Sequence, residues 1–367
     1  MLALRGGGEL VALWAQLSSV IEMVTAVALA GVGAGLSVLV ARAGPPERQA
    51  LLLWRALYLG LAVCLPVAFA AALAGWLFSG ALSPWSLALA AACGWIAVGH
   101  GVVNSYWLGL QRRGLMLALA AGASALALLA AAVAPPARIL ELLAIAHAVP
   151  ALVMLFVPRP GGVPRRSQDR ALERYILPGL VIGVLSPASM LVARGFVAEA
   201  MSWHEAGVLQ ALWRIADWVC GIAAGVLSVL YLPRLAAAAP GKPFRAVVRS
   251  AVNTVLVPSA LLFVVLFLAH RPLLALLYDA SFEVSATAVA LVFAGSLARI
   301  AAWIPLFALY ALLRTRAIAA GELLSLPLFA ALAGVAGQSL TLELAGAFWL
   351  AVYLAYGGFN AWAMLRR

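Results

Sequence analysis

The chain has 367 residues, of which 66% are hydrophobic and only 10% are charged, and its mean hydropathy is +1.07. This composition excludes a soluble protein. The net charge of +11 would suit a nucleic-acid-binding protein, but in a membrane protein the positions of the charges matter more than their sum. Long apolar runs fill nearly the whole sequence, and the short alternating segments of a transmembrane barrel do not occur. We therefore predict an all-α polytopic membrane protein.

Eleven apolar stretches are long enough to cross a bilayer, since roughly 20 helical residues span the hydrocarbon core. They cover residues 9–41, 49–78, 84–111, 114–134, 138–157, 174–198, 205–235, 244–270, 283–313, 316–336 and 341–365. No cleavable signal peptide precedes them, because MLALRGGGEL has too few apolar residues before its charges. The three cysteines, Cys64, Cys93 and Cys220, fall inside these stretches and are expected to be buried thiols.

Basic residues are concentrated in alternate loops. One set of loops, together with the C-terminal tail, holds seventeen of them, whereas the other set holds only Arg5, Arg138 and Arg271. The positive-inside rule makes the first set cytoplasmic, so the C-terminus is predicted to be inside and the N-terminus outside. An odd number of spans breaks the symmetry of a two-part carrier, so we expect one further helix upstream.

The longest basic loop, PRPGGVPRRSQDRALER at 158–174, is rich in proline, glycine and arginine and separates five spans from six. We therefore predict an N-lobe (1–157), a cytoplasmic basic linker (158–173) and a C-lobe (174–367). A weak internal similarity supports two halves: VLVARAGPPERQ follows the first span, and VLYLPRLAAAAPGKPFR follows the seventh. Each is followed by an apolar helix that contains a breaking proline, Pro66 or Pro258.

The seventh span carries a polar stripe on one helical face, made of Gln210, Arg214, Asp217, Gly221, Gly225 and Ser228. A charge near the middle of a bilayer is costly unless it faces water or a partner. We predict that this face lines a polar chamber. Pairing of Arg214 with Asp217, three residues apart on the same face, is a compatible interpretation.

Other charges also lie deep in the predicted spans. Arg299 lies too far from either end of the ninth span to reach the surface, whereas Arg194 is only a turn or two from an outer loop. Glu22 in the first span has no partner in its own helix and is expected to pair with a deep arginine or to titrate. Because the deep cations belong to the second half, a chamber lined by guanidinium groups suits an anionic ligand such as phosphate.

Motifs of enzymatic chemistry do not occur. The sequence has no Walker-type phosphate loop, no HExxH and no CxxC, and the predicted outer loops leave no room for a catalytic domain. We therefore predict a transporter with no catalytic residues, no metal site and no cofactor.

The segment from Met190 to Leu235 resembles the start of the second half of Wzx-type polysaccharide flippases, which belong to the multidrug/oligosaccharidyl-lipid/polysaccharide exporter superfamily. The resemblance rests on Arg194 late in one helix, on W-x-E-x-G-x-x-Q from Trp203 to Gln210, on a polar run that ends at Asp217, and on Y-L-P-x-L from Tyr231. Elsewhere it is diffuse and includes Gln16 in WAQL and the run GVGAGL. Because members of that family have twelve helices, the resemblance leads us to expect a first helix upstream of the eleven predicted here.

This resemblance implies two pseudo-symmetric helical lobes in a V around a central, cation-rich cavity in the bacterial inner membrane. It implies that the substrate is an undecaprenyl-diphosphate-linked oligosaccharide, moved by alternating access for the assembly of O-antigen lipopolysaccharide, exopolysaccharide or common antigen. The implied partners are this lipid-linked oligosaccharide, membrane lipids, a polysaccharide polymerase and a chain-length regulator, and not nucleic acid.

Together these observations give a hypothesis for the site. Arg194, Arg214 and Arg299 would hold the diphosphate. Glu22 and Asp217 would relay charge and couple transport to the proton gradient. The residues expected to contact the glycan are Gln210, Trp303, Tyr353 and Tyr356.

Three alternatives remain. A multidrug-type antiporter of the same superfamily would need an acidic first-half cavity, for which Glu22 is the main candidate. A peptidoglycan-precursor flippase would usually have more helices. A membrane glycan polymerase or ligase would need a large outer loop, whereas the longest loop here is predicted to be cytoplasmic.

Overall fold

The computed structural model describes residues 2–42, 45–159, 172–173, 176–238, 242–278, 282–312 and 314–366. Within these ranges the chain is helical and has no strand. The α-helices are α1 (Leu2–Ala28), α2 (Ala34–Arg42), α3 (Pro46–Ser79), α4 (Pro84–Gly109), α5 (Arg113–Val133), α6 (Ile139–Ala148), α7 (Ile176–Ala200), α8 (Trp203–Val226), α9 (Leu232–Ala237), α10 (Lys242–Ala251), α11 (Val257–Leu268), α12 (His270–Leu277), α13 (Ala286–Ala311), α14 (Thr315–Glu322), α15 (Leu326–Ala336) and α16 (Leu342–Leu365).

Ten segments of the described chain are long and apolar enough to cross a membrane, and they coincide with ten of the eleven predicted stretches. The remaining stretch, 174–198, corresponds to the 25-residue helix α7. The protein is therefore a multi-pass all-α membrane protein, as its hydropathy predicted.

The structure divides into two compact units. One is Leu13–Gly195, called unit A here, and the other, unit B, joins Met1–Ala12 to Phe196–Arg367. Helices α1 and α7 each contribute residues to both units. The structure places most of α7 in unit A, whereas the predicted C-lobe begins at residue 174. The predicted division into lobes stays a prediction, and 160–171 of the predicted linker lie outside the described residues.

Unit A is built around α4, which packs against α3, α6 and the α1–α2 segment. Small residues allow the close helix approaches, as expected where apolar packing alone must hold helices together. A Cβ on Gly183 of α7 would lie 2.5 Å from the backbone of Val27, and one on Gly94 of α4 would lie 3.1 Å from the Cα of Ile21. These contacts bring α7 and α4 directly against α1.

In unit B the helices α13 and α16 form the most extensive contact. The backbones come together at Gly295, where a Cβ would lie 2.8 Å from the backbone nitrogen of Leu350, and at Gly357, where it would lie 3.2 Å from the Cβ of Ala302. Helix α8 packs on this pair through its buried face. The unit therefore fixes three helices whose polar side chains form the candidate site.

The first residues of the chain cover the start of α8. Gly7 has a φ of 58°, which breaks the helical path, and Gly8 then packs against α8. A Cβ on Gly207 would lie 1.8 Å from the carbonyl oxygen of Gly8. The glycine of the W-x-E-x-G-x-x-Q motif is thus required by a backbone contact.

Pro66 and Pro258 were each predicted to break an apolar helix, but neither lies at a break inside its helix. Helix α3 continues through Pro66, whereas Pro258 lies in the first turn of α11, directly after a π-helical turn at Val252–Leu256. A second π-helical turn, Leu227–Tyr231, precedes Pro233 at the start of α9. Each turn accommodates the missing donor and the ring of the proline that follows.

Candidate functional site

The polar stripe of α8 lies on a face that the other described helices of unit B leave uncovered. Arg214, Gly221, Gly225 and Ser228 are exposed, and the side chain of Asp217 is 40% exposed. A methyl group added at Gly221 or Gly225 would meet nothing within 4 Å, so open space borders this face. The polar face predicted from the sequence is therefore exposed from Arg214 to Ser228. Gln210, one turn earlier, is buried.

An ion pair links α8 to α13. The Nη2 atom of Arg299 donates to the Oδ1 atom of Asp217, 82 positions away in the chain. The side chain of Arg299 is 14% exposed, and its Nε atom is buried without a hydrogen-bond partner in the described part of the chain. Asp217 is therefore paired across two helices with Arg299, a contact that the sequence did not indicate, and its pairing with Arg214 stays a prediction.

Aromatic rings surround the guanidinium of Arg299. Its Cζ atom lies 5.2 Å from the ring centre of Trp303, 5.7 Å from that of Trp349 and 5.9 Å from that of Tyr353. Such stacking stabilises a cation through the negative face of the ring, more so where water is excluded. Trp349 is itself held by a 3.1 Å hydrogen bond from its indole nitrogen to Ser296. The cluster explains how a charge persists inside an apolar helix.

The four residues predicted to contact the glycan differ in how deeply they are buried. Trp303 is half-buried, whereas Gln210, Tyr353 and Tyr356 are buried. Tyr356 donates a 2.8 Å hydrogen bond to the carboxylate of Glu322, which lies in α14. Contact of the three buried side chains with a glycan stays a prediction and requires the helices around them to separate.

Arg194 belongs to unit A and is 7% exposed. Its Nη1 atom donates to the carbonyl oxygen of Ala15 at 2.8 Å and to the hydroxyl of Ser19. Nearby, the amide of Gln16 donates to the carbonyl oxygen of Leu191 at 3.0 Å and to that of Phe78 at 3.3 Å. These bonds tie α1 to α7, and the structure does not place Arg194 in the same unit as Arg214 and Arg299.

Glu22 and Asp217, the two predicted charge-relay residues, lie in different units. The side chain of Glu22 is exposed on α1. A separate ion pair of unit A joins Arg55 of α3 to Glu173 at 3.1 Å. That pair anchors the last described residues of the linker region, a role that the sequence did not indicate.

No protein-family model matches the chain, and no curated protein matches its sequence. Solved structures match its fold over 99% of its length. They include the inward-facing conformation of a multidrug resistance MATE family transporter of the MOP superfamily, with 14% identity, a TM-score of 0.79 and 90% of that chain covered. A MATE in complex with MaL6 matches with 16% identity, a TM-score of 0.68 and 88% covered. The chain thus has the fold of MATE family transporters of the MOP superfamily.

A third match is a MOP superfamily transporter from Pyrococcus furiosus, described as having a binding pocket of reverse polarity that suggests a different function. It shares 13% identity, with a TM-score of 0.65 and 89% of that chain covered. Because a shared fold does not fix the function, the polarity of the site in the present chain must be determined from its own residues.

Proposed function

We propose that the protein carries an undecaprenyl-diphosphate-linked oligosaccharide from the cytoplasmic to the outer leaflet of the bacterial inner membrane by alternating access. The transporter fold supports carriage across a membrane. The observation that carries the proposed substrate is the exposed polar face of α8, with Arg214 and the Asp217–Arg299 pair inside segments long and apolar enough to cross a membrane. A face of this kind is stable within a membrane if it borders water or an anionic ligand.

Arg214 is the first contact for the diphosphate in this proposal, because it is the exposed guanidinium on the face. Arg299 is the second contact. Before the substrate arrives, Asp217 occupies the guanidinium of Arg299. A diphosphate carries more charge than one carboxylate and offers oxygens for bidentate bonding, so it competes for Arg299.

This exchange provides the coupling step that the sequence hypothesis assigned to Asp217. When the diphosphate takes Arg299, the carboxylate of Asp217 loses its cationic partner, and release of the diphosphate restores the ion pair. Arg194, which is committed to hydrogen bonds with α1, has a structural role in this scheme. Glu22 is a second proton-relay candidate.

The first experiment replaces Arg214. In a flippase-deficient strain complemented with the Arg214→Gln variant, we expect loss of surface glycan and accumulation of lipid-linked repeat units on the inner side. The matched control is Arg112→Gln, which removes one exposed charge from a loop of unit A. Normal surface glycan in the Arg214→Gln strain, at wild-type protein levels, would exclude the diphosphate role.

The second experiment asks whether the polar face of α8 borders water. Single cysteines at Gly221 and Gly225 should react with a membrane-impermeant maleimide in intact membranes. A cysteine at Ile222 is the control, because this side chain is also exposed but lies on the adjacent apolar arc of the helix. Equal reactivity at Ile222 and Gly221 would contradict a water-lined face.

A multidrug-type antiporter is the second candidate, and the fold match to a multidrug resistance MATE family transporter favours it as much as the first. Binding to the purified protein distinguishes the two. The flippase proposal expects a polyprenyl diphosphate to bind more tightly than the corresponding monophosphate, in a manner that depends on Arg214. The antiporter expects binding of organic cations that depends on Asp217 or Glu22. Interaction with a polysaccharide polymerase and a chain-length regulator stays a prediction.

A further inference from the structure

Unit B contains a basic pocket that does not belong to the α8 site. Its volume is about 810 Å³, within the range of small-molecule sites. The pocket lies where α10 begins and where α13 and α16 end. These ends of the spans adjoin loops that the positive-inside rule places in the cytoplasm, so the pocket is predicted to lie at the inner surface of the membrane.

Four arginines line this pocket: Arg245, Arg249, Arg314 and Arg366. Arg245 and Arg249 are four residues apart on α10, so their like charges destabilise that helix unless an anion lies between them. Both are exposed. Among the described residues that line the pocket, none carries a carboxylate. The charge of the described lining therefore suits an anionic ligand.

Two of these arginines are held in place. The guanidinium of Arg314 donates to the carbonyl oxygen of Ala363 at 2.5 Å and also to that of Arg366. These carbonyls lie at the C-terminal end of α16, where the helix dipole favours a cation. The guanidinium of Arg366 lies 3.9 Å from the ring centre of Trp362. Fixed donors bind an anion at a lower entropic cost than mobile ones.

Apart from Asn253, the rest of the described lining is apolar and consists of Phe244, Val248, Val252, Leu312, Met364 and Leu365. Inorganic phosphate has no apolar part that could cover these side chains. A phospholipid has both parts, since its phosphodiester can meet the arginines while the first acyl carbons cover the apolar side chains. A second pocket of about 590 Å³ shares Arg314 and Arg366 and adds Arg316, which extends the basic surface.

We propose that this pocket binds the headgroup of an anionic phospholipid of the inner leaflet. The full chain, purified and delipidated, is titrated with phosphatidylglycerol, phosphatidylcholine and inorganic phosphate, and binding is followed by native mass spectrometry and by thermal unfolding. Phosphatidylglycerol should bind and stabilise, whereas phosphatidylcholine and phosphate should not. In the Arg245→Gln/Arg249→Gln variant, affinity for phosphatidylglycerol should fall about 30-fold, on the basis of about fivefold for each basic residue near an anionic lipid.

The control is Arg112→Gln/Arg159→Gln, which removes two exposed arginines from the same predicted side of the membrane in unit A. It should keep its affinity for phosphatidylglycerol. An equal loss in this control, or equal binding of phosphatidylcholine, would overturn the proposal. Stabilisation by inorganic phosphate alone would overturn the assignment to a lipid. Because the pocket variant retains Arg214 and Arg299, its result is independent of the proposed transport function.

Discussion

The pair between Asp217 and Arg299 makes a quantitative prediction through a double-mutant cycle of Asp217→Asn, Arg299→Gln and both together. Two unit charges 4 Å apart attract by about 4 kcal/mol at an effective dielectric constant of 20, and by about 1 kcal/mol in water. Exposed pairs measure about 0.2–1 kcal/mol because water and salt screen them. With side-chain exposures of 14% for Arg299 and 40% for Asp217, this pair lies between these limits. We expect a coupling free energy of about 2 kcal/mol.

Each single variant should also lower stability. Asp217→Asn leaves a largely buried guanidinium without its counter-charge, and Arg299→Gln additionally removes the stacking on Trp303, Trp349 and Tyr353. The measurement is unfolding of the purified protein by denaturing detergent, followed by circular dichroism, with Arg112→Gln as a neutral control. The double variant should be more stable than the sum of the single effects implies. Additivity of the two changes to within about 0.5 kcal/mol would refute the pair as a stabilising contact.

Two further predictions concern stability in detergent. Gly207→Val should destabilise unit B by about 3 kcal/mol, because its Cβ would lie 1.8 Å from the carbonyl oxygen of Gly8. The control Gly221→Ala, at a position bordered by open space, should leave the stability unchanged or raise it. Equal unfolding midpoints for the two variants would contradict the steric role of Gly207. Arg194→Gln should lower the free energy of unfolding by about 3 kcal/mol, because it removes charged hydrogen bonds to Ala15 and Ser19. If this variant instead kept its unfolding midpoint but exported less glycan, Arg194 would have a role in substrate binding and not in stability.

The sequence predicted the helices well, because membrane spans depend on local composition and length. It also predicted the polar face of α8, since residues at helical spacing share a face whatever the neighbouring helices are. The contact between Asp217 and Arg299 could not be predicted, for the same reason. Local spacing pointed to Arg214, whereas Arg299 comes from a helix 82 positions later whose packing on α8 follows from tertiary contacts.

The aromatic residues illustrate a second limit. Tyr353 and Tyr356 were expected to contact the glycan, but helical spacing alone does not distinguish a ligand-binding surface from a packing surface. The spacing of Arg299 and Trp303, four residues apart on α13, was the available signal for a stacked cation. The contact between Gly8 and Gly207 had a weaker signal, because a glycine in a motif does not reveal which backbone approaches it.

The indole rings beside Arg299 give the protein a native optical reporter. Trp303 and Trp349 emit in the electric field of that guanidinium, at ring-centre distances of 5.2 Å and 5.7 Å. Any event that draws the guanidinium away changes this field and shifts the emission wavelength. In a variant whose other ten tryptophans are replaced by phenylalanine, the colour of the emitted light would follow the state of the ion pair without an attached dye.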